Sequence, residues 1–166
     1  GLPMTGRNKK LYQDLVVNGV CLFGNLYGIN NTFAKHIKSK NFKLPIGLSW
    51  IDSAITKMIN CNITNQYKGI HGRITHLKGT GYTFNSLIFF KPSDIKLYFN
   101  RIARYELGKL QERELNKLEF NEWPATCGEI NANLYKEITA GKIKVKMYLK
   151  HLIIKKLKND TFPELK

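Results

Sequence analysis

Lys142-Ile143-Lys144-Val145-Lys146-Met147 alternates cationic and apolar side chains without a break. A period of two marks a strand with one buried face, so these residues predict a β-strand that presents a row of lysines. Just beyond it, residues 149–157 (Leu-Lys-His-Leu-Ile-Ile-Lys-Lys-Leu) switch to helical spacing. Just before it, residues 129–139 predict a helix closed by Gly141, a residue suited to the left-handed conformation of a helix end. A second strand signal is Tyr82-Thr83-Phe84-Asn85-Ser86-Leu87-Ile88-Phe89-Phe90, which is aromatic and rich in strand formers. Strands interspersed with helices set the fold class as α+β: a single domain with a mixed or antiparallel sheet and helices packed on it.

The remaining segments are assigned around that frame. Residues 9–17 fit a short helix or a strand. Asn18-Gly19 is a turn signal, and with Val20-Cys21-Leu22-Phe23-Gly24 resuming as a strand it predicts a hairpin. Asn31 is placed to cap a helix running to about Ser39, with Phe33, Ala34 and Ile37 inward. Apolar residues at 48, 51, 55, 58 and 59 predict another helix. Residues 66–91 read as strands. Pro92-Ser93-Asp94 opens the clearest helix, with Ile95, Phe99, Ile102 and Tyr105 on its inner face, a kink or stop at Gly108 and an apolar pattern reaching about Phe120. Gly1-Leu2-Pro3 reads as a foreign lead-in before Met4, the domain as residues 4–160, and residues 161–166 as a frayed tail.

The chain of 166 residues carries 27 Lys and Arg against 12 Asp and Glu, a formal charge of +15. Lys, Asn, Ile, Phe and Tyr, all with A/T-rich codons, make up 72 residues. That points to a virus, mobile element or organelle with an AT-rich genome, and it explains part of the lysine content. It does not explain the scarcity of acids, and so large an excess charge is best tolerated beside a polyanion. An apolar fraction of 43% excludes a disordered chain. No apolar run is long enough for a transmembrane helix, and no signal peptide is recognisable. Cys21, Cys61 and Cys127 match no zinc or redox spacing, which predicts reduced thiols in a cytoplasmic or nucleus-like compartment, not a secreted scaffold.

Two stretches carry binding chemistry. Residues 142–158 hold seven lysines and no acid. Lys142, Lys144, Lys146, Lys150, Lys155 and Lys156 there predict a surface that neutralises phosphates without reading sequence. The glycine-rich run from Gly69 to Gly81 allows close backbone approach, with Arg73 and Lys78 to hold phosphate. His71 and His76 in that run are possible metal ligands, as is Asp52, a carboxylate among apolar residues. With a histidine, Asp52 could hold Mg²⁺ or Mn²⁺ for phosphodiester chemistry. Patterns for a P-loop, a zinc protease, a serine hydrolase or a CxxC site are absent.

Five short motifs occur in order: Trp50-Ile51-Asp52, the aromatic Tyr82-Thr83-Phe84-Asn85-Ser86, Ile95-Lys96-Leu97-Tyr98, Tyr105-Glu106-Leu107 and Leu118-Glu119-Phe120. Their order resembles that of the rolling-circle replication initiators of filamentous phages and small plasmids. The resemblance implies metal-assisted nicking of single-stranded DNA, with Asp52 and Glu119 at the metal and Tyr135 or Tyr98 as the nucleophile that becomes a phosphotyrosine. The chain departs from the pattern in having no His-apolar-His triplet.

The leading functional expectation is a nucleic-acid-binding protein, DNA favoured over RNA, with no membrane partner. The alternatives are a metal-dependent endonuclease or nickase using Mg²⁺ or Mn²⁺, and a structural or interaction subunit of ribosomal type.

Overall fold

The computed structural model describes residues 1–6, 8–22, 27–64, 69, 72–83, 87, 88 and 90–161. Six α-helices dominate them: α1 (Lys9–Val17), α2 (Asn31–Ser39), α3 (Ile51–Cys61), α4 (Pro92–Leu115), α5 (Gly128–Thr139) and α6 (Met147–Thr161). The strands among the described residues are β1 (Leu2–Pro3) and β2 (Gly81–Tyr82), paired in parallel with Leu2 opposite Gly81. The α+β expectation is therefore corrected. Among the described residues the only sheet is this two-residue pair, and α4, α5 and α6 bury their apolar stripes against one another.

The lysine strand and the hairpin are corrected, each for a physical reason. In the Lys142 stretch the alternation is real but has no strand partner among the described residues, and an extended connector needs only a core on one side to produce it. Among the described residues of the aromatic stretch, Tyr82 is paired, with Gly81 before it; Phe84, Asn85, Ser86 and Phe89 lie outside the described residues, and Phe90 is almost fully exposed in a turn. The predicted hairpin is instead a helix end. The amides of Asn18, Gly19 and Val20 donate back to the carbonyls of Asp14, Val16 and Leu15. The Leu22 amide then donates to Thr56 Oγ1 at 2.9 Å, not to a ladder. Gly19 is required there, because its φ is +67° and a Cβ would lie 2.7 Å from the Ile74 carbonyl oxygen.

The chain forms two compact units. The N-terminal unit comprises residues 1–43, 51–86 and 119–121. Of Gly1-Leu2-Pro3, read from sequence as a foreign lead-in, Leu2 and Pro3 form β1, and Gln13 on α1 donates to the Pro3 carbonyl at 2.8 Å. α2 is capped by Asn30, one residue earlier than predicted, whose side chain accepts from the Phe33 amide at 2.8 Å. α3 buries Ala54, Ile55, Met58 and Cys61; of the predicted stripe Ile55 and Met58 are inward, whereas Ile51 is exposed and Ile59 half-buried. Phe42 meets Phe120 edge to face, with centroids 5.7 Å apart.

The C-terminal unit comprises residues 44–50, 87–118 and 122–166. Its core is Ala103 and Leu107 of α4, Leu134 and Ile138 of α5, and Leu149, Ile153 and Leu157 of α6. The four-residue spacing within each set places them on one face of each helix. α4 buries Ala103, Leu107, Gln111 and Leu115, so its inner face differs from the predicted one; Ile95, Phe99 and Tyr105 are exposed. α4 also runs through Gly108 without stopping. A Cβ there would come within 2.6 to 2.9 Å of three ring atoms of Trp50. Gly108→Ala should therefore destabilise the protein by about 1 kcal/mol, the overpacking outweighing alanine's better helix propensity. Thermal melting of the variant checks this, and a raised midpoint would refute the contact. No helix among the described residues is long and apolar enough to cross a membrane.

Candidate nucleic-acid interface

The lysine row begins where α5 ends. Gly141 adopts φ +74°, and the amides of Gly141, Lys142 and Ile143 donate to the carbonyls of Ile138 and Glu137. This closes the helix and turns the chain into an extended segment. Ile143 and Val145 are half-buried against the core, while Lys142, Lys144 and Lys146 are exposed. The backbone carbonyl of Lys146 then accepts from the amides of Leu149 and Lys150, which starts α6. The three lysines are thus held outward by two apolar anchors placed between them.

Along α6 the cations do not form a single row. Lys150, Lys155 and Lys158 are exposed and Lys156 is half-buried. At about 100° per residue, Lys150 and Lys156 lie roughly 120° apart around the helix, one on each flank of the buried stripe. Lys158 Nζ lies 5.7 Å from the centroid of the Tyr135 ring, a cation–π contact. None of the described ion pairs takes a lysine from residues 142–158. Those pairs lie on and just after α4, where Lys109 meets Glu106, and Arg113 and Lys117 meet Glu114. Partial burial pushes the Glu114 carboxyl up, but hydrogen bonds from Lys117 and Arg113 outweigh it and hold the group below its usual range. Glu114 is thus partly neutralised by its own neighbours.

Aromatic side chains cluster next to this row: Tyr98, expected from the resemblance as a candidate nucleophile, and Phe99 and Tyr148, which the sequence did not mark as functional. Phe99 of α4 and Tyr148 of α6 meet edge to face at 6.2 Å, and Tyr98 meets Phe99 at 5.8 Å. Phe99 is 38% exposed and Tyr148 58%. The available signal was an excess of large apolar residues (Ile95, Tyr98, Phe99, Ile102) on a turn whose neighbours Ala103 and Leu107 already supply the core.

The other sequence-predicted residues are dispersed. Arg73 and Lys78 are exposed in the N-terminal unit. Asp52 stands half-buried in the first turn of α3, its Oδ1 accepting from the Ser53 amide at 3.1 Å. His76 is half-buried and lines a shallow cavity of about 250 Å³ with Val16, Leu22, Tyr27 and Leu77. His71 lies outside the described residues. Glu119 is half-buried ahead of a single 3₁₀ turn, Phe120–Glu122. Asp52, His76 and Glu119 belong to the N-terminal unit, and Tyr98 and Tyr135 to the C-terminal one. Among the described residues no group of three His, Cys, Asp or Glu side chains is placed to share a metal ion. Tyr135 is partly buried against the helical core beneath Lys158.

The cysteines are free thiols. Burial pushes the Cys21 thiol up, and the charge of Asp52 adds to it; burial likewise raises Cys61 against the pull of Lys57 and Arg73. Both stay protonated at neutral pH, the opposite of an activated nucleophile.

Fold and site together define a helical protein whose C-terminal unit carries an unopposed lysine row. No family model, curated protein or solved structure matches the chain.

Proposed function

We propose that this protein binds nucleic acid through phosphate contacts made by its C-terminal unit. The observation that carries the reading is the connector at 142–146, where half-burial of Ile143 and Val145 holds Lys142, Lys144 and Lys146 outward in a stretch, 142–158, that contains no acid. Lys150, Lys155 and Lys158 extend the positive field along α6. A lysine ammonium is a point charge without directional preference, so the contact is to backbone phosphates and is indifferent to base sequence.

Binding of a mixed-sequence oligonucleotide, followed by anisotropy across a salt series, tests this. Each neutralised phosphate releases condensed counterions, so the logarithm of the affinity should fall linearly with the logarithm of salt concentration. A loss of at least about tenfold is expected between 50 and 200 mM salt. Affinity that stays level across the series would exclude the proposal.

A further inference from the structure

We infer that the Phe99–Tyr148 pair is a base-stacking platform, and that the nucleic acid this unit takes is single-stranded. The inference rests on the phosphate-binding reading above and adds what the bases do. Two aromatic rings from different helices are in contact, and both remain open to solvent although a packed apolar core lies beside them. Tyr98 meets Phe99 edge to face at 5.8 Å.

The charge around the rings selects the occupant. Lys144 and Lys146 come immediately before Tyr148 on the connector, and Lys96 lies one turn before Phe99 on α4. His151 and Lys155 continue the stripe of Tyr148 down α6, since residues three and four apart share a helix face. The nearest acid in sequence to Phe99 on the N-terminal side, Asp94, is engaged locally, accepting from the Ile88 amide at 2.9 Å and the Ser93 hydroxyl at 3.3 Å. An apolar surface flanked by cations matches a strand that offers π-faces and phosphates together. A duplex offers phosphates but keeps its π-faces stacked inside. An acidic peptide would satisfy the charges and leave the rings unused.

The experiment compares a thymidine oligonucleotide with an abasic strand of the same length, which keeps every phosphate and lacks every base. The wild-type protein should bind the thymidine strand at least about tenfold tighter, since one stacked base contributes roughly that factor or more. Phe99→Leu with Tyr148→Leu keeps apolar bulk while removing the rings, and should bring the thymidine strand down to the abasic level without changing the helical circular dichroism. Equal binding of the two strands by the wild-type protein would overturn the platform and leave the phosphate-binding reading standing. Polyglutamate competing as well as the thymidine strand would overturn it too, in favour of an acidic protein partner. Failure to bind either strand at low salt would remove both readings.

Discussion

Replacing Lys142, Lys144 and Lys146 together by alanine should lower single-strand affinity about a hundredfold at 0.1 M salt. For single strands each phosphate contact releases about 0.7 of a counterion, which at 0.1 M salt is a factor of about five in affinity. Three such contacts multiply to about a hundred. The slope of log affinity against log salt should become shallower by about two. Both readouts matter, because a variant that merely loosened the fold would weaken binding without altering the slope in this way. Fold damage is not expected, as the three side chains are exposed and the anchors Ile143 and Val145 are untouched. Lys150 with Lys156 makes a useful contrast. They lie on opposite flanks of α6, so their double replacement should change the slope by less than two contacts' worth. A triple variant with unchanged slope and affinity would remove the connector from the interface.

Gln111→Ala should destabilise the protein by about 3 kcal/mol, because a buried polar group that loses its partner forfeits its desolvation cost in full. The Gln111 side chain is 0% exposed and Asn131 is 1% exposed. Its Nε2 donates to Asn131 Oδ1 at 2.9 Å and to the Gly47 carbonyl at 3.1 Å, and its Oε1 accepts from the Ser49 amide at 2.9 Å. One side chain therefore joins α4, α5 and the segment 47–49. Truncation removes the partner of all three groups and opens a cavity. The denaturation midpoint should fall with an unchanged slope. Gln111→Leu combined with Asn131→Leu removes both members of the side-chain pair, and should lose less than the two single changes summed. An unshifted midpoint for Gln111→Ala would show that the network carries no net stability.

Helix α5, its glycine stop and the helical spacing of α6 were legible in the sequence, because a 3.6-residue period over nine or more positions has few other readings. The lysine row was legible as well, but not its backbone. Alternation of Ile143 and Val145 with lysines states which side chains turn inward, and it is silent on whether a neighbouring strand exists. A ladder requires a partner, and that information lies elsewhere in the chain. The inner face of α4 was misjudged for a related reason. Periodicity favoured Ile95, Phe99 and Tyr105 over Ala103 and Gln111, residues whose burial depends on what α5 and α6 bring to them. The aromatic pair was hidden in the same way, since Phe99 and Tyr148 are far apart in sequence and become neighbours only when α6 docks on α4.

The pairing of Leu2 with Gly81 has a kinetic meaning. It joins residues nearly eighty positions apart, so the two-residue sheet forms only after a long stretch of chain has surrendered much of its freedom, and it gains few hydrogen bonds in return. Helices α4, α5 and α6 follow one another in sequence, so their mutual contacts span shorter stretches of chain, which favours earlier assembly. The cationic unit can thus reach its native arrangement while the parallel pair is still open. That pair, the contact of longest sequence separation in its unit's secondary structure, is the element expected to form late and to open first.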